Sequence, residues 1–296
     1  MTKPEKARVS VIIPTRNAAE TLPALLERLQ SQTLRPNEIF VVDSASTDGT
    51  VKLAEDCPGV RVLSIERAAF DHGGTRDMAL RQTVGEFVCF LTQDALPEDD
   101  GYLAALLAPF ADERVGAVCG RQMARSDALP EEKLTRAFNY PADSFTRDQG
   151  DRARLGIKTY FLSDACSAYR RSAYLVAGGF EHPIETNEDM LMAARLIAGG
   201  WRIAYSAEAA VLHSHRFSLR QDYQRSWRIG AFLACYATEL GGASANSEGM
   251  RYVAFVSKAL LRHGRVVSFA RFGLHCVARY LGSRAGGKAV GKGKPR

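Results

Sequence analysis

The sequence predicts an α/β fold with a mostly parallel central sheet and helices on both faces. Three observations predict it. Short apolar, β-branched runs recur before residue 92. Helix-period leucines or turn-and-cap signals separate consecutive runs. Acidic residues stand where these runs end. Val9-Ser10-Val11-Ile12-Ile13-Pro14 reads as the first strand, and Leu22, Leu25, Leu26 and Leu29 mark the helix behind it. Glu38 to Asp43 is the second strand. Ser46-Thr47-Asp48-Gly49-Thr50 then turns into a short helix over 51–55. Val60 to Ile65 is the third strand, Thr75 to Thr83 a helix, and Glu86 to Leu91 the fourth strand. Right-handed crossovers bring the carboxyl ends of such strands to one edge, where open α/β sheets bind ligands.

The second half is less regular. Ser126 to Leu155 reads as an insertion or long loop with a helix around Glu131 to Phe138, and order resumes over Lys158 to Tyr169. A helix opens at Glu188-Asp189 and ends near Gly199-Gly200. Arg202 to Tyr205 and Ala209 to Leu212 read as two short strands. A further helix spans 219–240, Gly241 to Gly249 is a linker, and Tyr252 to Leu281 is an amphipathic helix. Gly282 to Arg296 is low in complexity and expected to be disordered. The expected division is a domain over 1–240 and a basic helical extension over 241–296.

At 296 residues, 46% hydrophobic and 24% charged, the composition is that of an ordinary soluble protein. Its net charge of +6 is uneven. Arg251 to Arg296 holds eleven Lys and Arg and no acid, which leaves the first 250 residues at −5. Within the extension, Lys258, Arg262 and Arg265 and then Arg271, His275 and Arg279 recur at helical spacing. That pattern fits a peripheral membrane contact, a nucleic-acid contact or a packed helix with a solvated basic face. No recognition module with interleaved aromatics accompanies it, so nucleic acid is not an expected partner. The six cysteines are scattered with no Cys-x-x-Cys pair, which fits a reducing cytoplasm better than zinc or a disulfide framework. The start carries no signal-peptide pattern, and no apolar run is long enough to span a bilayer.

Two acidic signals frame the chemistry. Asp94, in Phe90-Leu91-Thr92-Gln93-Asp94-Ala95, follows the fourth strand. A hard carboxylate there suits Mg²⁺ or Mn²⁺ carrying a diphosphate. Glu188-Asp189 opens a helix, where acids are favoured by the helix dipole and where one can also act as a base. Asp43 ends the second strand and can accept the imide N–H of a uracil or thymine ring, or simply belong to the turn after it. Phe70-Asp71-His72-Gly73-Gly74-Thr75-Arg76-Asp77 is either a glycine-bearing anion loop with Arg76 on a phosphate, or a glycine turn with a solvated arginine. His213 and His215 point to one side of an extended chain, as metal or phosphate ligands or as surface histidines. No Gly-x-Gly-x-x-Gly follows the first strand, which excludes a dinucleotide site. The glycine-lysine tail lacks the Ser or Thr and the strand of a P-loop.

Together, Val9 to Asn17, Val42 to Thr50, the Asp94 loop and Asn187-Glu188-Asp189 resemble the inverting family 2 glycosyltransferases of the GT-A fold. Residues 70–77, Thr92-Gln93-Asp94-Ala95 and His213-Ser214-His215 are most similar to those of bacterial rhamnosyltransferases. The resemblance covers about residues 8–235. It implies a sugar, rhamnose on dTDP in the first instance, moved from a dTDP- or UDP-linked donor to a glycan or lipid-linked acceptor. That work would take place in the cytoplasm at the inner face of the membrane. It further implies that Pro14, Thr15, Arg16, Asp43 and Gln93 lie at the nucleotide, with Arg76 and Asp77 beside the ribose and diphosphate. Asp94 would face Mg²⁺ or Mn²⁺, with Thr92 in place of the motif's first aspartate and His213 or His215 completing the shell. Asp189 would be the catalytic base and Glu188 its neighbour.

Overall fold

The computed structural model describes residues 8–242 and 246–290. Three parallel pairings organise its first half. β1 (Val9–Thr15) lies between β2 (Glu38–Ser44) and β4 (Phe87–Leu91), and β3 (Val60–Ile65) borders β2. β1, β2 and β4 read as nearly unbroken apolar runs because both faces of the sheet are covered there, while the edge strand β3 leaves Arg61 and Ser64 exposed. Val9, Val11 and Ile13 turn to one side, against Leu22, Leu25, Leu26 and Leu29 of α1 (Leu22–Gln30). Ile12, Phe40 and Phe90 turn to the other. Each of those buried leucines contributes about 1.5–3 kcal/mol. Connections α2 (Thr50–Glu55) and α3 (His72–Arg81) complete this half.

The second half is mixed. β8 (Cys166–Arg170) runs antiparallel to β4 and to β6 (Val115–Met123), and β6 pairs in parallel with β9 (Arg202–Leu212). The short β5 (Leu96–Pro97) and β7 (Phe145–Arg147) are both antiparallel to β9. The nine-stranded order is β3-β2-β1-β4-β8-β6-β9-β5, with β7 on β9. The two short strands expected over 202–205 and 209–212 are one strand. Its pairing with β6 slips between Gly120 and Arg121, opposite Ser206 and Ala210. Such a slip is a bulge, and it breaks the alternation that marks a strand in sequence. A Cβ on Gly120 would stand 2.7 Å from the Ala209 carbonyl oxygen, so that crossing requires glycine.

Helices α4 (Tyr102–Leu107), α5 (Pro130–Asn139), α6 (Arg152–Leu155), α7 (Arg171–Val176) and α8 (Glu188–Ala198) surround the sheet. α9 (Leu219–Cys235) ends before the expected residue 240. Beyond it, the single helix expected over 252–281 is two, α10 (Asn246–Arg262) and α11 (Val266–Val290). They are broken at Gly264, whose φ is +64°. α11 also runs through Gly282–Val290, where disorder was expected. The reason is packing. Added Cβ atoms on Gly230, Gly282 and Gly286 would meet the Ser283, Tyr223 and Trp227 carbonyl oxygens at 2.0, 2.3 and 1.9 Å. α9 and α11 touch backbone to backbone, and only glycine permits that approach. Residues 291–296 of the expected disordered tail lie outside the described residues. Among the described residues, no helix is long and apolar enough to cross a membrane.

Candidate active site

A cleft of about 1150 Å³ opens at the carboxyl edge of the sheet. It is bordered by Pro14, Thr15 and Arg16 after β1, by Gln93 and Asp94 after β4, and by α9 and α11 on its far side. Gln93 fixes the first border. Its Oε1 accepts the Arg16 N–H at 2.7 Å, and its Nε2 donates to the Arg16 carbonyl at 3.1 Å. Asp43 is different. It is fully buried, and its oxygens accept from Thr15 Oγ1 (2.9 Å), Ser46 N (2.8 Å) and Ser46 Oγ (2.5 Å). It therefore shapes the loop at the cleft edge and does not present a free oxygen to a base.

His213 and His215 follow β9 and meet Asp94 across the sheet edge. One ligand atom from each of the three lies within 4.8 Å of the others. The Gln122 amide sets the tautomer of His213. Gln122 Oε1 must accept from Arg136 Nη1, so His213 Nδ1, 2.8 Å from that same oxygen, carries the proton. His213 Nε2 is then a bare acceptor. It is buried without a hydrogen-bond partner and lies 3.5 Å from Asp94 Oδ1. A ring nitrogen oriented through its other nitrogen is the usual arrangement of a metal-ligating histidine. Burial raises the Asp94 carboxyl, but its imidazole neighbours, His213 first and then His215, outweigh it, and the group stays well below the carboxylate range. Burial, and then His213, push His215 down to about 4, so its imidazole is neutral near pH 7. An ionised carboxylate and two imidazoles, one with a stranded lone pair, fit a divalent cation.

Behind Ser163 and Ala165 lies an acidic cluster. Asn187, with φ +63°, turns the chain into α8 so that Glu188 enters the protein and Asp189 stays half-buried. Arg76 is buried. Its Nη1 donates to Glu188 Oε1 and to the His72 carbonyl, each at 3.1 Å, and its Nε lies 3.8 Å from Asp164 Oδ2. Asp164 Oδ1 accepts from Ser167 Oγ (2.6 Å) and Tyr169 Oη (2.8 Å), while its backbone N–H donates to Asp189 Oδ2 at 3.1 Å. Two carboxylates thus flank one guanidinium, and Asp189 adjoins them through the Asp164 N–H. Burial first, then Glu188 and Asp164, raise Asp189 well above the carboxylate range. Burial raises Asp164 to about 6, opposed by Arg76 and reinforced by Glu188. Burial lowers the Arg76 guanidinium, but the three carboxylates more than offset it.

These contacts correct three expectations. Arg76 borders the cleft but is engaged by carboxylates, so it serves as their counter-charge and not as a diphosphate ligand. Asp77 stands about 100° round α3 from Arg76, away from the cleft. It accepts from Tyr174 Oη at 2.8 Å and Arg81 Nε at 2.6 Å. The Gly73-Gly74 turn is no anion loop. Asp71 Oδ1 already accepts the Gly74 N–H at 2.6 Å, and a Cβ on Gly73 would lie 2.0 Å from the Glu181 carbonyl oxygen.

Sequence reasoning missed Asp164 and the far wall of the cleft. There Asp222 accepts from His275 Nδ1 (2.7 Å) and Arg279 Nε (3.1 Å), and Arg271 pairs with Glu131. Arg279 Nη1 also donates to Tyr252 Oη at 3.1 Å. Arg271, His275 and Arg279 therefore face the protein and not solvent or lipid, while Lys258, Arg262 and Arg265 stay exposed.

A mixed sheet with a carboxylate–imidazole cluster at its carboxyl edge has the architecture of the GT-A glycosyltransferases. Residues 10–176 match the model of Glycosyl transferase family 2, and the chain belongs to that family of glycosyltransferases. It is 38% identical over 283 residues to the O-antigen chain rhamnosyltransferase RfbN of Salmonella typhimurium, covering 94% of this chain and 89% of that one. It is 39% identical over 282 residues to WbaN of Salmonella anatum, also named an O-antigen chain rhamnosyltransferase, with 94% and 88% coverage. Among solved structures, the mannosyltransferase PcManGT of Pyrobaculum calidifontis, in complex with GDP-Man and Mn²⁺, has a TM-score of 0.63 at 20% identity. It covers 97% of this chain and 87% of that one. Residues 1–349 of S. aureus TarS with UDP-GlcNAc score 0.57 at 20% identity, with 86% and 72% coverage. At such identities these two establish the GT-A fold alone.

Proposed function

We propose that the chain transfers rhamnose from dTDP-rhamnose to a hydroxyl of a glycan or lipid-linked acceptor, with inversion, in the synthesis of a cell-surface polysaccharide. The observation that carries this is the 38–39% identity to two named rhamnosyltransferases over nearly the whole chain. The same cleft holds Asp94, His213 and His215 beside the buried carboxyl cluster. In this reading residues 1–240 are the transferase unit and 241–296 an extension that supplies the far wall. The inner face of the cytoplasmic membrane is the proposed place of work.

Asp189 is the base. It takes the proton of the acceptor hydroxyl as that oxygen bonds to the anomeric carbon and the bond to the diphosphate breaks on the opposite face. Such a base contributes about 10²–10⁴-fold in rate. Its raised affinity for protons comes from burial and from Glu188 and Asp164. Glu188, held by Arg76, is a positioning residue that keeps the first turn of α8 fixed. Asp94, His213 and His215 would hold Mg²⁺ or Mn²⁺, whose charge neutralises a departing diphosphate. With Arg76 engaged elsewhere, Arg136 and Arg225, which line the cleft and whose charges reach His215, are the guanidiniums for the phosphates.

The test is turnover of dTDP-rhamnose against UDP-sugars, with Mg²⁺, Mn²⁺ or EDTA. Metal-dependent preference for dTDP-rhamnose is expected. Preference for another sugar nucleotide would keep the family and discard the sugar. Binding of nucleotide sugars without turnover under any condition would mark a non-catalytic binding protein.

A further inference from the structure

α11 has two working faces. The inner one carries Arg271, Phe272, His275 and Arg279 into the cleft wall. The outer one carries Val267, Leu274 and Val277, which are 78, 59 and 56% exposed, followed by Leu281. The spacing of three and four residues keeps them on one side of the helix. The row is about 21 Å long at 1.5 Å per residue. Leu261 and Val266 extend it onto the tip between α10 and α11. Isolated exposed apolar residues are ordinary, whereas a continuous row of this length needs a partner.

Charge selects the partner. Exposed Arg262 and Arg265 stand at one end of the row and exposed Arg284 and Lys288 at the other, and no acid occurs from Arg251 onward. A second copy laid on this face would bring cations together in either direction, with no carboxylate of α11 between them. Anionic headgroups would instead neutralise both ends, while the aliphatic stems of the basic side chains lie along the interface. The helix is too polar to cross a bilayer, so it lies on it.

We propose that this outer face docks on an anionic lipid surface, so that the opposite face of α11 presents the cleft to an acceptor carried in that membrane. The acceptor half of this statement rests on the transferase reading, and the docking half does not. Sedimentation of the full chain with vesicles containing about one-third phosphatidylglycerol, against pure phosphatidylcholine, tests the docking. Binding that needs phosphatidylglycerol and weakens with salt is expected. The double variant Leu274→Glu/Leu281→Glu should lower partitioning roughly a hundredfold while vesicle-free donor turnover and helicity stay unchanged. Arg262→Glu/Arg265→Glu should remove the preference for the anionic lipid. Equal partitioning of wild type and the double variant would overturn the proposal. So would light scattering that shows a wild-type dimer which the Leu274→Glu/Leu281→Glu variant dissolves, since the occupant would then be a second copy. Vesicle binding without turnover of any donor by the wild type would count against the transferase reading alone.

Discussion

Gly286→Ala should destabilise the protein and Gly273→Ala, in the same helix, should stabilise it. The added methyl at 286 would sit 1.9 Å from the Trp227 carbonyl oxygen, 2.7 Å from its carbonyl carbon and 2.9 Å from Ala231 N. These are backbone atoms of α9, so no rotamer change can clear them. Ordinary contact begins near 3.4 Å, which requires α11 to lift by about 1.5 Å. A gap of even 0.5–1 Å forfeits about a quarter to a half of the dispersion attraction across a contact. Overpacking costs about 1–3 kcal/mol, taken here at its upper end because both sides are backbone. The helix preference of Ala over Gly returns about 1 kcal/mol. The net is a loss of about 2 kcal/mol. At Gly273 nothing lies within 4 Å of the new atom, so only the gain of up to about 1 kcal/mol remains. Urea titration followed by circular dichroism, with unchanged slope, reads both values. If Gly286→Ala is as stable as wild type or more so, α11 does not pack on α9 as described.

Further tests address the site. Asp189→Asn should cut transfer by at least about a hundredfold with donor affinity unchanged by calorimetry; retained turnover would remove Asp189 as the base. Arg76→Ala leaves buried carboxylates without their counter-charge and should cost about 3–5 kcal/mol in a denaturation curve. Arg225→Ala should spare stability and weaken donor binding, and the reverse pattern would return the phosphate role to Arg76. A base with a raised proton affinity is inactive until pH climbs through that raised value, so the acid limb of the rate profile should lie above the ordinary carboxylate range. Asp164→Asn keeps an acceptor for Ser167 and Tyr169 but removes a repelling charge, so that limb should move to lower pH. An unmoved limb would uncouple the pair. His213→Ala should abolish Mn²⁺ binding measured by electron paramagnetic resonance in the absence of sugar nucleotide, if Nε2 is a ligand.

The first half of the sheet was legible because β1, β2 and β4 are simple buried runs, with Asp43 near the end of β2 and Asp94 just past β4. β6 was not, since Gly116 and Gly120 interrupt it and both of its faces are buried, which erases alternation. That His213 or His215 would join Asp94 was implied by the family resemblance alone, and the structure brings both to it and supplies the Gln122 contact that frees His213 Nε2. Asp164 left no trace in the sequence. It sits 25 residues from Asp189, in a segment read only for its apolar content, and its meaning depends on Arg76 arriving from α3. The extension was misjudged for the same reason. Neither the partner of a basic row nor the use of a glycine run can be known until Asp222, Glu131 and Gly230 are placed opposite.

The cluster of Asp94, His213 and His215 joins points in the chain more than a hundred residues apart, and it does so beside β5, a two-residue strand paired to β9 at Leu96–Leu212 and Pro97–Val211. A cation bound there would act as a clasp on the last edge of the sheet. Any ligand that binds only the folded form adds stability that grows with its concentration, about 2.7 kcal/mol at a hundred times its dissociation constant. The melting temperature of this protein would then report the free divalent-ion concentration of its surroundings, and this edge of the sheet would be held by the same ion proposed to serve the sugar donor.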